Sequence, residues 1–164
     1  RVLAYRRERG GGSVGVGVLV QALVAADAAA VVFSVNPTSN AADELVINAN
    51  WGLGESVVGG LATPDTWILR RPALSTLRFR LGDKAQMTVR ADGGTREVPV
   101  LRTLRARPCL SDAQVHELGA LALRLEDAMG WPVDLECAYE GGRLYLLQCR
   151  PITALQRGST DRLS

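Results

Sequence analysis

A chain of 164 residues, 47% hydrophobic and 22% charged, is long enough to bury one core and has the balance of an ordinary soluble domain. Its 19 Lys and Arg stand against 17 Asp and Glu, for a net charge of +2, and they are scattered. That pattern supplies no basic stripe and excludes a nucleic-acid surface.

Cys109, Cys137 and Cys149 form an odd set without CxxC spacing. Neither a disulfide framework nor a zinc site is signalled, and a reducing, cytoplasmic setting fits. The chain opens on Arg1 and reads as a fragment, with no cationic segment, apolar stretch and cleavage site of a signal peptide.

Residues 2–9 (VLAYRRER) suggest a short basic helical piece that stops at Gly10-Gly11-Gly12. Residues 14–35 are almost continuously apolar, but Gln21 and Asp27 fall inside the run. An Asp at the centre of a membrane span costs about 2.5–3.5 kcal/mol on insertion scales, so two buried strands, 16–24 and 31–35, are predicted instead of a span. Residues 36–40 (NPTSN) close them as a loop. Gln21 is the one polar side chain in its predicted strand, and a buried amide needs partners for both its oxygen and its nitrogen.

Residues 44–50 (ELVINAN) predict a third strand leading into WGLGESVVGG. Such glycine spacing fits a tight strand-to-helix turn, or backbone N–H groups brought close to an anion. It is not a P-loop, because no Gly-Lys-Ser/Thr follows. Glu55 is a further candidate for a metal or phosphate. A short strand is expected at 66–71, then three β-like runs over 76–105 (TLRFRLG, KAQMTVRA, TREVPVLRTL) with a hairpin signal at Asp92-Gly93-Gly94. Lys84 reads as a solvated side chain, with a phosphate contact as the alternative.

Residues 111–129 give the clearest helix. Ser111 and Gln114 form an S-x-x-Q capping box, Val115, Leu118, Leu121, Ala122, Leu125 and Met129 recur at helical spacing, and Gly130 and Pro132 end it. His116, the single histidine, lies beside the stripe and reads as solvated.

The last element is a predicted hairpin over 134–151, two runs of β-formers flanking Gly141-Gly142. Strand alternation puts Asp134, Glu136 and Ala138 on one face, with Cys137 and Cys149 turned to the apolar side. Gln148 and Arg150 fall together on the return strand. Carboxylates, an amide oxygen and a guanidinium on one patch suit a magnesium ion and a polyphosphate, and equally suit a plain solvated hairpin. A two-residue turn with regular pairing would point Glu136 and Gln148 to opposite sides. A three-residue loop Glu140-Gly141-Gly142, or a bulge, is therefore required for a shared ligand, with Gly142 at positive φ.

The string DLECAYEGGRLYLLQCRPIT, with LVINANWGLGESVVGGLATPDTW upstream, resembles the ATP-binding domain of the phosphoenolpyruvate synthase, pyruvate phosphate dikinase and rifamycin phosphotransferase family, in its C-terminal part. The resemblance implies an α+β, ATP-grasp-like lobe over 1–153, mostly antiparallel sheet with the helix 111–129 and the C-terminal hairpin, and a linker or disordered tail at 154–164. It implies ATP and Mg2+ as cofactors. Glu136 and Gln148 would hold the metal and the ATP phosphates, Arg150 the phosphates, and Gln21 the nucleotide. The whole enzyme would cleave ATP and pass a phosphoryl group through a histidine in another domain to pyruvate or an antibiotic. An N-terminal lobe carrying Lys and Arg and the phosphohistidine domain would be its missing partners, and the piece alone would turn over little. The alternative is a non-catalytic regulatory or interaction module derived from the same scaffold.

Overall fold

The computed structural model describes residues 17–60 and 62–153. The segments 2–9, 10–12 and 154–164, and residue 16 of the first expected strand, lie outside them.

One six-stranded sheet organises the chain. Its strands are β1 (Ala28–Phe33), β2 (Glu44–Trp51), β3 (Asp65–Arg70), β4 (Ser75–Arg80), β7 (Val133–Glu140) and β8 (Arg143–Pro151), in the order β4-β3-β2-β1-β7-β8. Every neighbouring pair is antiparallel. Strands β5 (Gln86–Ala91) and β6 (Gly94–Pro99) form a separate hairpin. Helices α1 (Glu55–Val58) and α2 (Arg102–Arg105) are single turns, whereas α3 (Asp112–Met129) runs for 18 residues. The class is α+β.

Alternation divides the sheet into a covered and an open face. Val32, Leu45, Ile47, Trp67, Leu69, Val133, Leu135 and Tyr139 turn inward and are almost fully buried with Val115, Leu118 and Ala122 of α3. Burying each large side chain contributes roughly 1.5–3 kcal/mol. Gly119 lets the helix close on the sheet, since a Cβ there would lie 2.9 Å from Leu74 Cδ2. The helix begins at a full capping box between Ser111 and Gln114 and ends at left-handed Gly130. Leu121 and Leu125 are half-buried against the core, but Met129, expected in the stripe, is exposed because it lies in the last turn beyond the sheet-facing residues. Tyr139 brings its hydroxyl to the helix, donating to Glu117 Oε2 at 2.8 Å.

Four expectations are corrected. Residues 17–26 form no strand, and Val18, Leu19 and Val20 are more than 80% exposed. Among the described residues no strand pairs with them, so an apolar run that reads as buried lacks the neighbour that would bury it. The strand expected at 31–35 is present but shifted to Ala28–Phe33. The third run over 95–104 ends at Pro99, where its partner β5 also starts (Gln86 opposite Pro99), and α2 replaces the rest. Lys84 is not solvated. It is completely buried in a left-handed conformation (φ 45) and donates to Asp65 Oδ1 at 2.6 Å.

That Asp65, the first residue of β3, is a junction for two loops, the one between β4 and β5 and the one between α2 and α3. Its carboxylate also accepts from Gly82 N at 2.7 Å and Cys109 N at 2.8 Å, so all three donors meet one fully buried acid. Buried charges persist when paired and hydrogen-bonded in this way.

Candidate nucleotide and metal site

The β7–β8 turn is a two-residue Gly141-Gly142 loop, since Glu140 pairs with Arg143. The expected three-residue loop is therefore replaced. Both glycines have positive φ, 57 and 80, the signature of a type I′ turn, which follows the strand twist. Parity is restored further along: the register shifts between Glu136 and Cys137, so Cys137 pairs with Leu146, Glu136 with Gln148, and Leu147 is the extra residue. This bulge performs what the longer loop was expected to do, and Glu136 and Gln148 stand opposite each other on the open face.

Arg150 is next on that face, opposite Asp134. Its Nε and a terminal nitrogen both lie 2.8 Å from Asp134 Oδ2. Asp134 is nearly buried while Arg150 is more than half exposed, so the acid anchors a guanidinium that reaches outward. Sequence alternation placed Asp134 on this face as one of the carboxylates suited to a metal, and the structure pairs it with Arg150. Its second oxygen, Oδ1, is buried without a partner. An unpaired buried acceptor is uncommon and marks a place where an arriving donor or cation is favoured.

A cavity of about 550 Å3 is lined by Gln21, Gly54, Glu55, Glu136, Ala138 and Leu147, among others. A smaller one of about 270 Å3, lined by Val31, Asn48, Glu136 and Arg150, adjoins it at Glu136. Gln21 thus shares a cavity with Glu136 as an exposed side chain, not as the core amide expected of a buried strand. Glu55 lines the same cavity and accepts from the Thr95 hydroxyl at 3.2 Å.

The glycine-rich turn is a structural joint. The N–H groups of Gly52, Leu53, Ser56, Val57 and Gly59 all donate to backbone carbonyls. Gly52 sits at φ 75, where a Cβ would approach Thr88 O to 2.3 Å. Asp27 ties this joint to the hairpin: its carbonyl accepts from Gly52 N and its carboxylate from Gly141 N at 2.7 Å. In the sequence Asp27 served only as an argument against a membrane span.

Burial, followed by Cys149 and Glu136 nearby, pushes the Cys137 thiol up to about 12, and burial raises Cys149 as well. His116 is exposed on α3. Among the described residues no cluster of three or more His, Cys, Asp or Glu could hold a metal alone, and no helix is long and apolar enough to cross a membrane.

With this geometry in place, comparison with known proteins is decisive. The family described as the pyruvate phosphate dikinase, AMP/ATP-binding domain, matches residues 1–163. The chain belongs to this family. It is 41% identical to a probable phosphoenolpyruvate synthase of Methanocaldococcus jannaschii over 165 residues, covering 99% of this chain and 14% of that protein. It is 40% identical to a probable phosphoenolpyruvate synthase of Methanothermobacter thermautotrophicus, covering 98% of this chain and 24% of the relative. A rifampicin phosphotransferase of a Streptomyces species is 33% identical, over 94% of this chain and 18% of that protein. The chain therefore spans only between about a seventh and a quarter of these relatives' lengths. In a dikinase-type ATP-binding domain the open face is the side to examine, because the covered face is filled by α3.

Proposed function

We propose that this chain is the ATP- and Mg2+-binding lobe of a phosphotransferase of the phosphoenolpyruvate synthase or rifamycin phosphotransferase type, in an ATP-grasp-like arrangement. The carrying observation is the bulge at Leu147, which sets Glu136 across from Gln148 beside an Arg150 anchored by Asp134.

The donor set fits the metal. A carboxylate and an amide oxygen are hard ligands, and Mg2+ is commonly held by one or two carboxylates together with substrate phosphates and water. The unpaired Asp134 Oδ1 adds a buried acceptor to the same face. When bound, the metal would neutralise charge on the phosphates. Glu136 and Gln148 would hold it, Arg150 would fork onto phosphate oxygens, and Asp134 would keep the guanidinium in place. Gln21 and the 550 Å3 cavity next to Glu136 offer room for the rest of the nucleotide.

The complete enzyme would supply further cations from an N-terminal lobe and carry the phosphoryl group on a histidine of another domain. Relatives four to seven times longer than this chain leave ample length for both. A non-catalytic module derived from the scaffold is less favoured, because the Glu136, Gln148 and Arg150 set is intact.

Calorimetric titration of the assembled protein with Mg-ATP tests the reading. Glu136→Ala is expected to weaken binding by about 10–100-fold, the worth of a charge-assisted contact. Cys137→Ala, on the opposite face, should lower stability and leave affinity near that of the parent. Unchanged Mg-ATP affinity in Glu136→Ala would sink the assignment.

A further inference from the structure

We propose that the open face carries a second anion site, built on Arg78 and Arg80 of β4, for a single tetrahedral oxyanion of the phosphate type. Its arginines lie on the opposite edge of the sheet from the strand pair that carries Glu136, and the proposal does not depend on the nucleotide reading.

Strand register is the first support. The β3–β4 pairing also shifts, between Ile68 and Leu69, so that Leu69 pairs with Thr76, Ile68 with Arg78 and Thr66 with Arg80. Without the extra residue Leu77, Ile68 would face Leu77 and Thr66 would face Phe79, and both arginines would turn toward the covered side. The bulge sends the two guanidiniums to the open face, while Phe79 turns back onto Trp67 with ring centroids 4.9 Å apart.

A shaped cavity is the second. About 520 Å3 is enclosed by Arg78, Arg80, Thr66, Asn48, Thr38 and Ser39, among others. The Thr66 hydroxyl donates to Asn48 Oδ1 at 2.9 Å, so the Asn48 amide nitrogen remains available as a donor among the described residues. Glu44, the one carboxylate in the lining, already accepts from Asn36 Nδ2 at 2.7 Å.

The third is unpaired charge. Nearby arginines have acids: Arg70 pairs with Asp43, Arg71 with Glu126 and Arg105 with Asp83. Among the described residues Arg78 and Arg80 have none. Edge-strand cations can serve simply to discourage pairing with another chain. That role asks only for exposure, however, and not for two arginines lining one cavity together with hydroxyl and amide side chains. Two planar forks with hydroxyl and amide donors match a phosphate group.

The two arginines stand apart from the nucleotide subsite, although Asn48 lines both this cavity and the smaller one at Glu136 and Arg150. β4 lies four strands from β7, about 19 Å at strand spacing, which is beyond the reach of a triphosphate anchored at Glu136.

The test is a titration of the full chain with inorganic phosphate against chloride at matched ionic strength, followed by amide and guanidinium NMR shifts. Saturable shifts confined to Arg78, Arg80, Thr66 and Asn48 are expected. Arg78→Gln/Arg80→Gln should weaken phosphate binding about tenfold or more, and Arg78→Lys/Arg80→Lys, which keeps charge and edge but loses the forks, should weaken it less. Glu136→Ala should leave phosphate binding unchanged, whereas the arginine variants should leave Mg-ATP binding unchanged. Non-saturable shifts in the parent chain, or equal phosphate affinity in the Gln pair, would overturn the proposal and leave these residues as edge protection.

Discussion

The two edges of the sheet, β4 and β8, solve one geometric problem in the same way at opposite ends. Each edge strand carries a single extra residue, Leu77 in one and Leu147 in the other, and each bulge changes which side the following polar residues face. At the β8 edge the outcome is Glu136 opposite Gln148. At the β4 edge it is Arg80 opposite Thr66. They differ in what fixes them. The β8 edge is set by a tight turn and an ion pair on its own hairpin, Asp134 with Arg150, whereas the β4 edge leans on a buried acid outside the strand, Asp65. Face selection on an antiparallel sheet is thus a matter of residue count, and each edge keeps the count with different chemistry.

Asp65→Ala offers the strongest way to break this pairing of edges. It would leave Lys84 buried without its counter-charge and free Gly82 N and Cys109 N, so a loss of about 3–5 kcal/mol is expected in urea denaturation. Hydrogen exchange should rise at β4 before β8. Equal exchange at both edges would show that the junction does not serve β4 in particular.

Gly142→Val acts on the other edge. A Cβ at residue 142 meets nothing within 4 Å, so the penalty comes from forcing a β-branched residue to φ 80, about 1–3 kcal/mol. Mg-ATP affinity should fall with it, while phosphate binding at Arg78 and Arg80 should stay. A variant that keeps full stability would mean that the turn does not hold the register.

Much of this was legible in the sequence, and the reasons are specific. Residues 111–129 carry periodicity and both caps within one local stretch, and the helix occurs with those caps. The demand for an odd residue in the C-terminal hairpin followed from parity alone, but its position did not, because nothing local separates a third loop residue from an extra Leu147. Lys84 was misjudged because its partner, Asp65, is 19 positions away and a lone lysine says nothing about burial. The stretch around Gln21 was misjudged because an apolar run signals what it could pair with and never whether the pairing neighbour is there.

Ser111→Ala is the smallest perturbation and sharpens the comparison as a control. Removing the cap from α3 should lower stability by about 1 kcal/mol, through the covered face, with both edge sites keeping their ligands. Altered binding at either edge would mean that the helix communicates with the open face.

The central position of β1 also governs the order in which the molecule can assemble. Its pairing with β2 closes a short loop, but its pairing with β7 brings together segments about a hundred positions apart, as the Val133–Ser34 and Gly141–Asp27 hydrogen bonds record. Closing a loop of that length opposes folding by on the order of 4 kcal/mol in chain entropy before any contact forms. The meander from β1 to β4 can therefore form early, and the hairpin bearing Glu136 and Gln148 docks late. During synthesis the acidic half of the open face would stay unassembled until the last strands have left the ribosome.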